Sequence, residues 1–126
     1  MVTATIGKDH YRTEIIASGK SMIADEPEEV GGKNEGPAPG EFLLISLASC
    51  TAITLRMYAD RKKWMVDKIR VEVASERSQW KTTFFRHVYL EGDITEEQRQ
   101  RLLEIANACP VHKVLTHPIE VDTKLL

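Results

Sequence analysis

Two cysteines stand out, Cys50 in "LLISLASCTAITL" and Cys109 in "LLEIANACPVHKVL". The thiolate, not the thiol, is the nucleophile. An ordinary thiol with a pKa near 8.5 is only about 3% ionised at pH 7, whereas one lowered to about 6 is roughly 90% ionised. Lowering it takes a cation or hydrogen-bond donors against the sulfur, because apolar surroundings alone push it up. Cys50 sits in a run that is apolar on nearly every side, so any charge there must be supported by a group from outside that run. Taken singly, a cysteine in an apolar helix is most often a small core residue. Cys109 alters that weighing, since it also faces inward and stands at a helix start, where backbone N–H groups favour a thiolate. A thiolate in an apolar pocket beside one cation suits a greasy electrophile such as an organic hydroperoxide. Attack on the O–O bond gives a sulfenic acid, which a second cysteine condenses into a disulfide. Whether the two sulfurs are neighbours is left open by the sequence.

The elements that would carry them are readable. "VTATIG" alternates as a half-buried strand does, and "YRTEIIAS" and "SMIAD" are two further strands broken at Gly19-Lys20. Residues 25 to 40, "DEPEEVGGKNEGPAPG", are rich in Gly, Pro and acid and predict a long loop. Its acids, Asp25, Glu26, Glu28 and Glu29, are expected to be solvated. A helix should start between Pro39 and Phe42 and run to about Arg61, its first half apolar all round and therefore buried on several faces. "KIRVEVASERS" and "TTFFRHVYLEGD" predict a hairpin through "ERSQWK". Thr95 and Gln98 form a capping-box pattern ahead of a helix that puts Leu102, Ala106 and Cys109 on one face. Pro110 then suits the first position of a short helix with Cys109 at its N-cap. "IEVDTKL" reads as a closing strand with Ile119 and Val121 on one face. Long antiparallel strands with segregated helices predict an α+β fold in one domain, residues 1–126.

Composition narrows the function classes. The 126 residues carry a formal net charge of -2, and no long block of one sign occurs, which disfavours nucleic acid and anionic membranes as partners. The run from Phe42 to Leu55 is shorter than the roughly 20 apolar residues a bilayer span needs, so no membrane partner is expected. "MVTATIGKDHYR" has no signal-peptide core, which predicts the cytoplasm, where thiols stay reduced. Two cysteines without CxxC spacing predict no metal site, and no cofactor motif is visible. His112 belongs to the "CPVH" segment and is expected to cap and pack the short helix or to hydrogen-bond near the thiol. His10, His87 and His117 have no partner pattern; Trp64, Trp80, Phe84 and Phe85 suit a core or a dimer interface.

"ADEP…GG…GPAPGEFLLISLASCTAITLRMYADRKKW" and "LEGDITEEQRQRLLEIANACPVHKVL" resemble the OsmC/Ohr family, the osmotically inducible and organic-hydroperoxide-resistance proteins, and within it the OsmC-like branch. The resemblance covers nearly the whole chain. It implies an intertwined homodimer in which antiparallel sheets from both chains wrap two central helices and the active sites lie at the subunit interface. It also implies thiol-dependent reduction of organic hydroperoxides to alcohols, without metal, haem or flavin, and regeneration by a dithiol reductant, lipoyl-type in the Ohr branch. Cys50 matches the peroxidatic cysteine and Cys109 the resolving one. Arg12 in "HYRTEI" matches the arginine that supports the thiolate, and Glu41 the glutamate that holds that arginine. The peroxidase pattern has this glutamate ten residues before the cysteine; here Gly40 occupies that position and Glu41 is nine before. On one continuous helix nine residues amount to about 13.5 Å of rise and the opposite face. A non-catalytic small-molecule binding or scaffold protein of the same fold, with buried thiols, is the alternative reading.

Overall fold

The computed structural model describes residues 1–126. It is α+β, and the chain forms two compact units, Met1–Leu43 and Leu44–Leu126. In the first unit β1 (Val2–Ile6), β2 (Thr13–Ala17) and β3 (Lys20–Ala24) make an antiparallel sheet in chain order. The β2–β3 turn uses Ser18 (φ 50°) and Gly19 (φ 74°), two consecutive left-handed residues whose twist matches that of the flanking strands.

The acidic loop after β3 is ordered by one of its own acids. Asp25 is buried, not solvated as expected. Its Oδ1 accepts from the N–H groups of Tyr11 (3.1 Å) and Glu26 (2.7 Å), its Oδ2 from those of Lys33 (3.4 Å) and Glu35 (3.1 Å). A buried carboxylate persists when several donors replace its water. The loop contains a single 3-10 turn at Glu28–Val30.

α1 (Pro39–Lys62) matches the predicted helix closely. It ends where Lys63 turns left-handed (φ 57°) and the N–H groups of Lys63 and Trp64 return to Asp60 O and Ala59 O, the paired bonds of a Schellman end. By length and composition α1 is apolar enough to cross a membrane, a test that a core helix also passes. Its burial is one-sided: Leu47, Thr51, Leu55, Tyr58 and Ala59 are buried, whereas Ile45, Ile53 and Met57 are 44%, 54% and 68% exposed. The expectation of burial on several faces is thus corrected. The exposed three fall within about 120° of the helix surface, opposite the buried set.

In the second unit β4 (Met65–Arg77) and β5 (Thr82–Asp93) pair as a long hairpin. A bulge at Asp67 shifts the register, and Gly92 lies opposite it with φ 146°, where an added Cβ would come within 2.1 Å of Met65 O. α2 (Glu96–Ala106) begins with both bonds of the predicted capping box, Gln98 N–H to Thr95 Oγ1 and Thr95 N–H to Gln98 Oε1. α3 (Pro110–Leu115) follows, with Cys109 as N-cap and Pro110 at its first position. The core joins α1 to α2 and the hairpin through Leu55, Tyr58, Ala59, Val66, Leu102 and Ala106, flanked by Trp64, Val88 and Leu90.

The predicted closing strand at "IEVDTKL" does not form: residues 117–126 have no regular structure, and Ile119 and Val121 are exposed. A strand exists only in a ladder, and no strand of this chain pairs with that segment.

Candidate active site

Cys50 and Cys109, both free thiols in the second unit, lie close enough for each to shift the other's ionisation. α1 presents Cys50 at the seam between its buried and exposed faces, so the sulfur-bearing residue is half-buried. Cys109 arrives from the other side. Leu102 and Ala106, one and two turns earlier, anchor α2 in the core, and the short link to Pro110 carries Cys109 fully inside. One sulfur therefore belongs to a residue that borders solvent, and the other is sealed.

Polar neighbours gather around the sealed one. Burial alone pushes the Cys109 thiol up, but the adjacent Cys50 thiol, the His112 and Val111 amides and the Thr51 hydroxyl outweigh it and bring the group below its ordinary range. Burial raises the Cys50 thiol, and the neighbouring Cys109 raises it further, against opposing pulls from the Val111 N–H and the Thr54 hydroxyl. The two thiols are thus pushed in opposite directions, Cys109 down and Cys50 up. The single proton of the Thr51 hydroxyl goes to Leu47 O at 2.7 Å.

Behind Cys109 stands Arg86, a residue sequence reasoning passed over. It projects inward from β5, and its guanidinium is wired to four acceptors: Thr51 Oγ1 (3.1 Å), Ala106 O (3.1 Å), Asn107 Oδ1 (2.9 Å) and His112 Nδ1 (3.4 Å). All four are neutral, so the positive charge is not cancelled. Burial disfavours the Arg86 cation and the Cys109 charge favours it, yet a guanidinium does not lose its proton in proteins. His112 is held neutral, first by burial and then by Arg86, so it accepts from Arg86 rather than adding a second cation. Its structural role is that of a link between Arg86 and α3. The signal for Arg86 was present in "TTFFRHVYLEGD": Phe84, Arg86, Val88 and Leu90 alternate on the inward face of one strand, and an arginine in an apolar alternation needs a buried task.

The other two expected residues lie in the first unit. Arg12 on the approach to β2 pairs with Glu14 (Nη1 to Oε1, 3.0 Å) and Glu35 (Nε to Oε2, 3.2 Å), and its pKa is raised, first by the hydrogen bond to Glu14. Glu41, in the first turn of α1, accepts from the Ala38 N–H at 3.1 Å and so caps the helix start. Arg56 pairs with Asp60 and donates to Val66 O. No three His, Cys, Asp or Glu side chains converge as a metal set.

The description "OsmC-like protein" fits the family model that matches residues 32–124, a span that holds both cysteines and every residue around them. The chain belongs to the OsmC-like family. Solved structures agree on the fold. An OsmC-like protein from Mycoplasma pneumoniae is 21% identical with a TM-score of 0.78, over 91% of this chain and 85% of that one. An organic hydroperoxide resistance protein from Elizabethkingia anophelis, with thiocyanate bound, is 20% identical with a TM-score of 0.71, over 94% and 89%. An organic hydroperoxide resistance protein OsmC from Legionella pneumophila is 18% identical with a TM-score of 0.68, over 92% and 88%. No curated protein sequence matches the chain. The OsmC-like architecture accounts for the hairpin, the long helix and the α2–α3 corner that together bring the two thiols close to each other.

Proposed function

We propose that this protein is a thiol-dependent peroxidase that reduces organic hydroperoxides to alcohols. The observation that carries the reading is the pair of neighbouring free thiols with one half-buried and one sealed member. Family membership and neighbours named for organic hydroperoxide resistance support the substrate class. Cys50 is the sulfur a substrate can approach. Its attack on the distal peroxide oxygen breaks the O–O bond, releases the alcohol and leaves a sulfenic acid on Cys50. Cys109 attacks that sulfur, water leaves, and the Cys50–Cys109 disulfide is the oxidised product. An external dithiol, lipoyl-type, reopens it by two thiol–disulfide exchanges.

A homodimer belongs to this reading. The uncovered apolar face of α1, with Ile45, Ile53 and Met57, borders Cys50, and a second copy laid against it would exclude water from the peroxide site. Arg12 and Glu41 are carried as the positioning pair the family resemblance assigns. The carboxylates now holding Arg12 are exposed partners, whose exchange costs little. The need for a reducing dithiol assigns the protein to the cytoplasm.

The test adds a slight excess of an organic hydroperoxide and weighs the intact protein. Loss of two hydrogens, abolished in both Cys50→Ser and Cys109→Ser, is the expected result. An unchanged mass would favour the non-catalytic binding or scaffold protein.

A further inference from the structure

About two turns along α1 from Cys50, three cations gather on one phenol. Tyr58 belongs to the core and is only 8% exposed. The Arg61 guanidinium lies 5.1 Å from the centre of its ring, the Lys62 ammonium 5.7 Å and the Arg101 guanidinium 5.8 Å. Arg61 and Lys62 come from the last turn of α1 and Arg101 from α2, all within the second unit. Trp64 meets the ring edge-on, with centroids 5.5 Å apart. Only one acid answers these charges: Glu104 pairs with Arg101 at 2.8 Å, while the nearby Asp60 is taken by Arg56. Arg61 and Lys62 have no carboxylate partner, so the cluster holds an excess of two positive charges. The C-terminal dipole of α1 is worth roughly half a negative charge and offsets only part of that excess. Cation–π contacts hold the cations near the ring without neutralising them. The phenol adds a directed donor. Arg101 Nε donates to Tyr58 Oη at 3.1 Å, which uses a lone pair and leaves the O–H proton without an acceptor in this chain. That hydrogen bond, with the charges of Arg101, Lys62 and Arg61, outweighs burial and holds the phenol below its ordinary range, which makes the O–H a stronger donor.

We propose that Tyr58, Arg61, Lys62 and Arg101 form a binding site for a phosphate group, either inorganic or carried as a monoester by a small molecule. The charge selects the class. A phosphate monoester carries about -1.5 to -2 near pH 7 and offers three acceptor oxygens, which matches two unpaired cations. A carboxylate brings one charge and would leave a cation uncompensated. The donors suit the same group: the planar fork of Arg61 can take two oxygens, Lys62 one, and the Tyr58 O–H meets an acceptor that the protein itself does not supply. Tyr58 and the backbone that carries Arg101 are fixed by the core, through Tyr58 itself and Leu102, while Arg61 and Lys62 are exposed and able to close on a ligand. The site uses neither cysteine and does not depend on the peroxidase reading.

The experiment is calorimetric titration of the whole chain with inorganic phosphate, with phenyl phosphate and with acetate, each at one ionic strength set by chloride. Saturable one-to-one binding of a phosphate is expected, at least about tenfold tighter than acetate. The tighter of the two phosphate ligands tells whether the group arrives free or on an organic carrier. Replacing Arg61→Gln and Lys62→Gln together should weaken binding by about tenfold or more, and both positions are exposed, so the fold is kept. Tyr58→Phe keeps the ring and its cations but removes the O–H, and should weaken binding by about threefold to tenfold. Saturating phosphate should also raise the ionisation of Tyr58, read as phenolate absorbance, because the bound anion opposes a second negative charge. No saturable heat up to about 10 mM phosphate would overturn the proposal. So would acetate binding as tightly as phosphate, or a double variant that binds like the wild type.

Discussion

Two guanidinium groups in this molecule live under opposite rules. Arg12 is tied to two exposed carboxylates, Glu14 and Glu35. Arg86 is tied to a hydroxyl, a carbonyl, an amide and a neutral imidazole. Both are well hydrogen-bonded, but only the second keeps its charge uncompensated. A cation surrounded by neutral dipoles still exerts a field on a nearby sulfur, whereas one between two carboxylates exerts little beyond them. Counting hydrogen bonds gives Arg86 four partners to the two of Arg12; counting charge separates them in kind.

The largest effect that can break this comparison is on the sulfurs. Replacing either cysteine by serine should abolish disulfide formation by hydroperoxide entirely. Cys50→Ser should also end sulfenic acid formation, trapped as a dimedone adduct, while Cys109→Ser should leave the sulfenic acid unresolved. Next comes Arg86→Gln, which orphans several half-buried acceptors and should cost about 2–3 kcal/mol in urea unfolding. Thr51→Val removes the node that Arg86 shares with Leu47 and Cys109, at similar volume, and should cost about 1–2 kcal/mol while raising the first thiol ionisation.

Asp25 offers a pH-dependent contrast in the other unit. Burial raises its carboxyl, but four backbone donors outweigh that and hold it below the ordinary range. Its contribution to stability is therefore present above the unfolded value near 3.9 and fades as the pH falls through the depressed folded value. Asp25→Asn should lack that acid-linked component, and amide exchange at Lys33 and Glu35 should quicken by about tenfold. The smallest effect should come from Arg12→Gln, whose unfolding midpoint should be indistinguishable from the wild type, since exposed pairs contribute little.

Much of the frame was legible because it is local. The alternation of Ile69, Val71 and Val73, the Thr95–Gln98 box and the Cys109–Pro110 junction each specify their element within a few residues. What escaped depends on distant partners. Asp25 reads as one more acid in an acidic loop until four amides close on it. The segment around Ile119 and Val121 has strand alternation, but pairing needs an edge that no local pattern supplies. Arg86 carries no local signature of its role, because its ring is assembled from residues 20 to 35 positions away. The inward alternation of β5 was the available clue.

The central claim is that the two thiols work as one redox unit. The direct measurement is the mass of the intact protein, reduced beforehand, after exposure to a slight excess of an organic hydroperoxide. The account predicts loss of two hydrogens, with a peptide joining Cys50 to Cys109 after digestion. A mass that stays unchanged, or that rises by oxygen atoms with the two cysteines never joined, would contradict it.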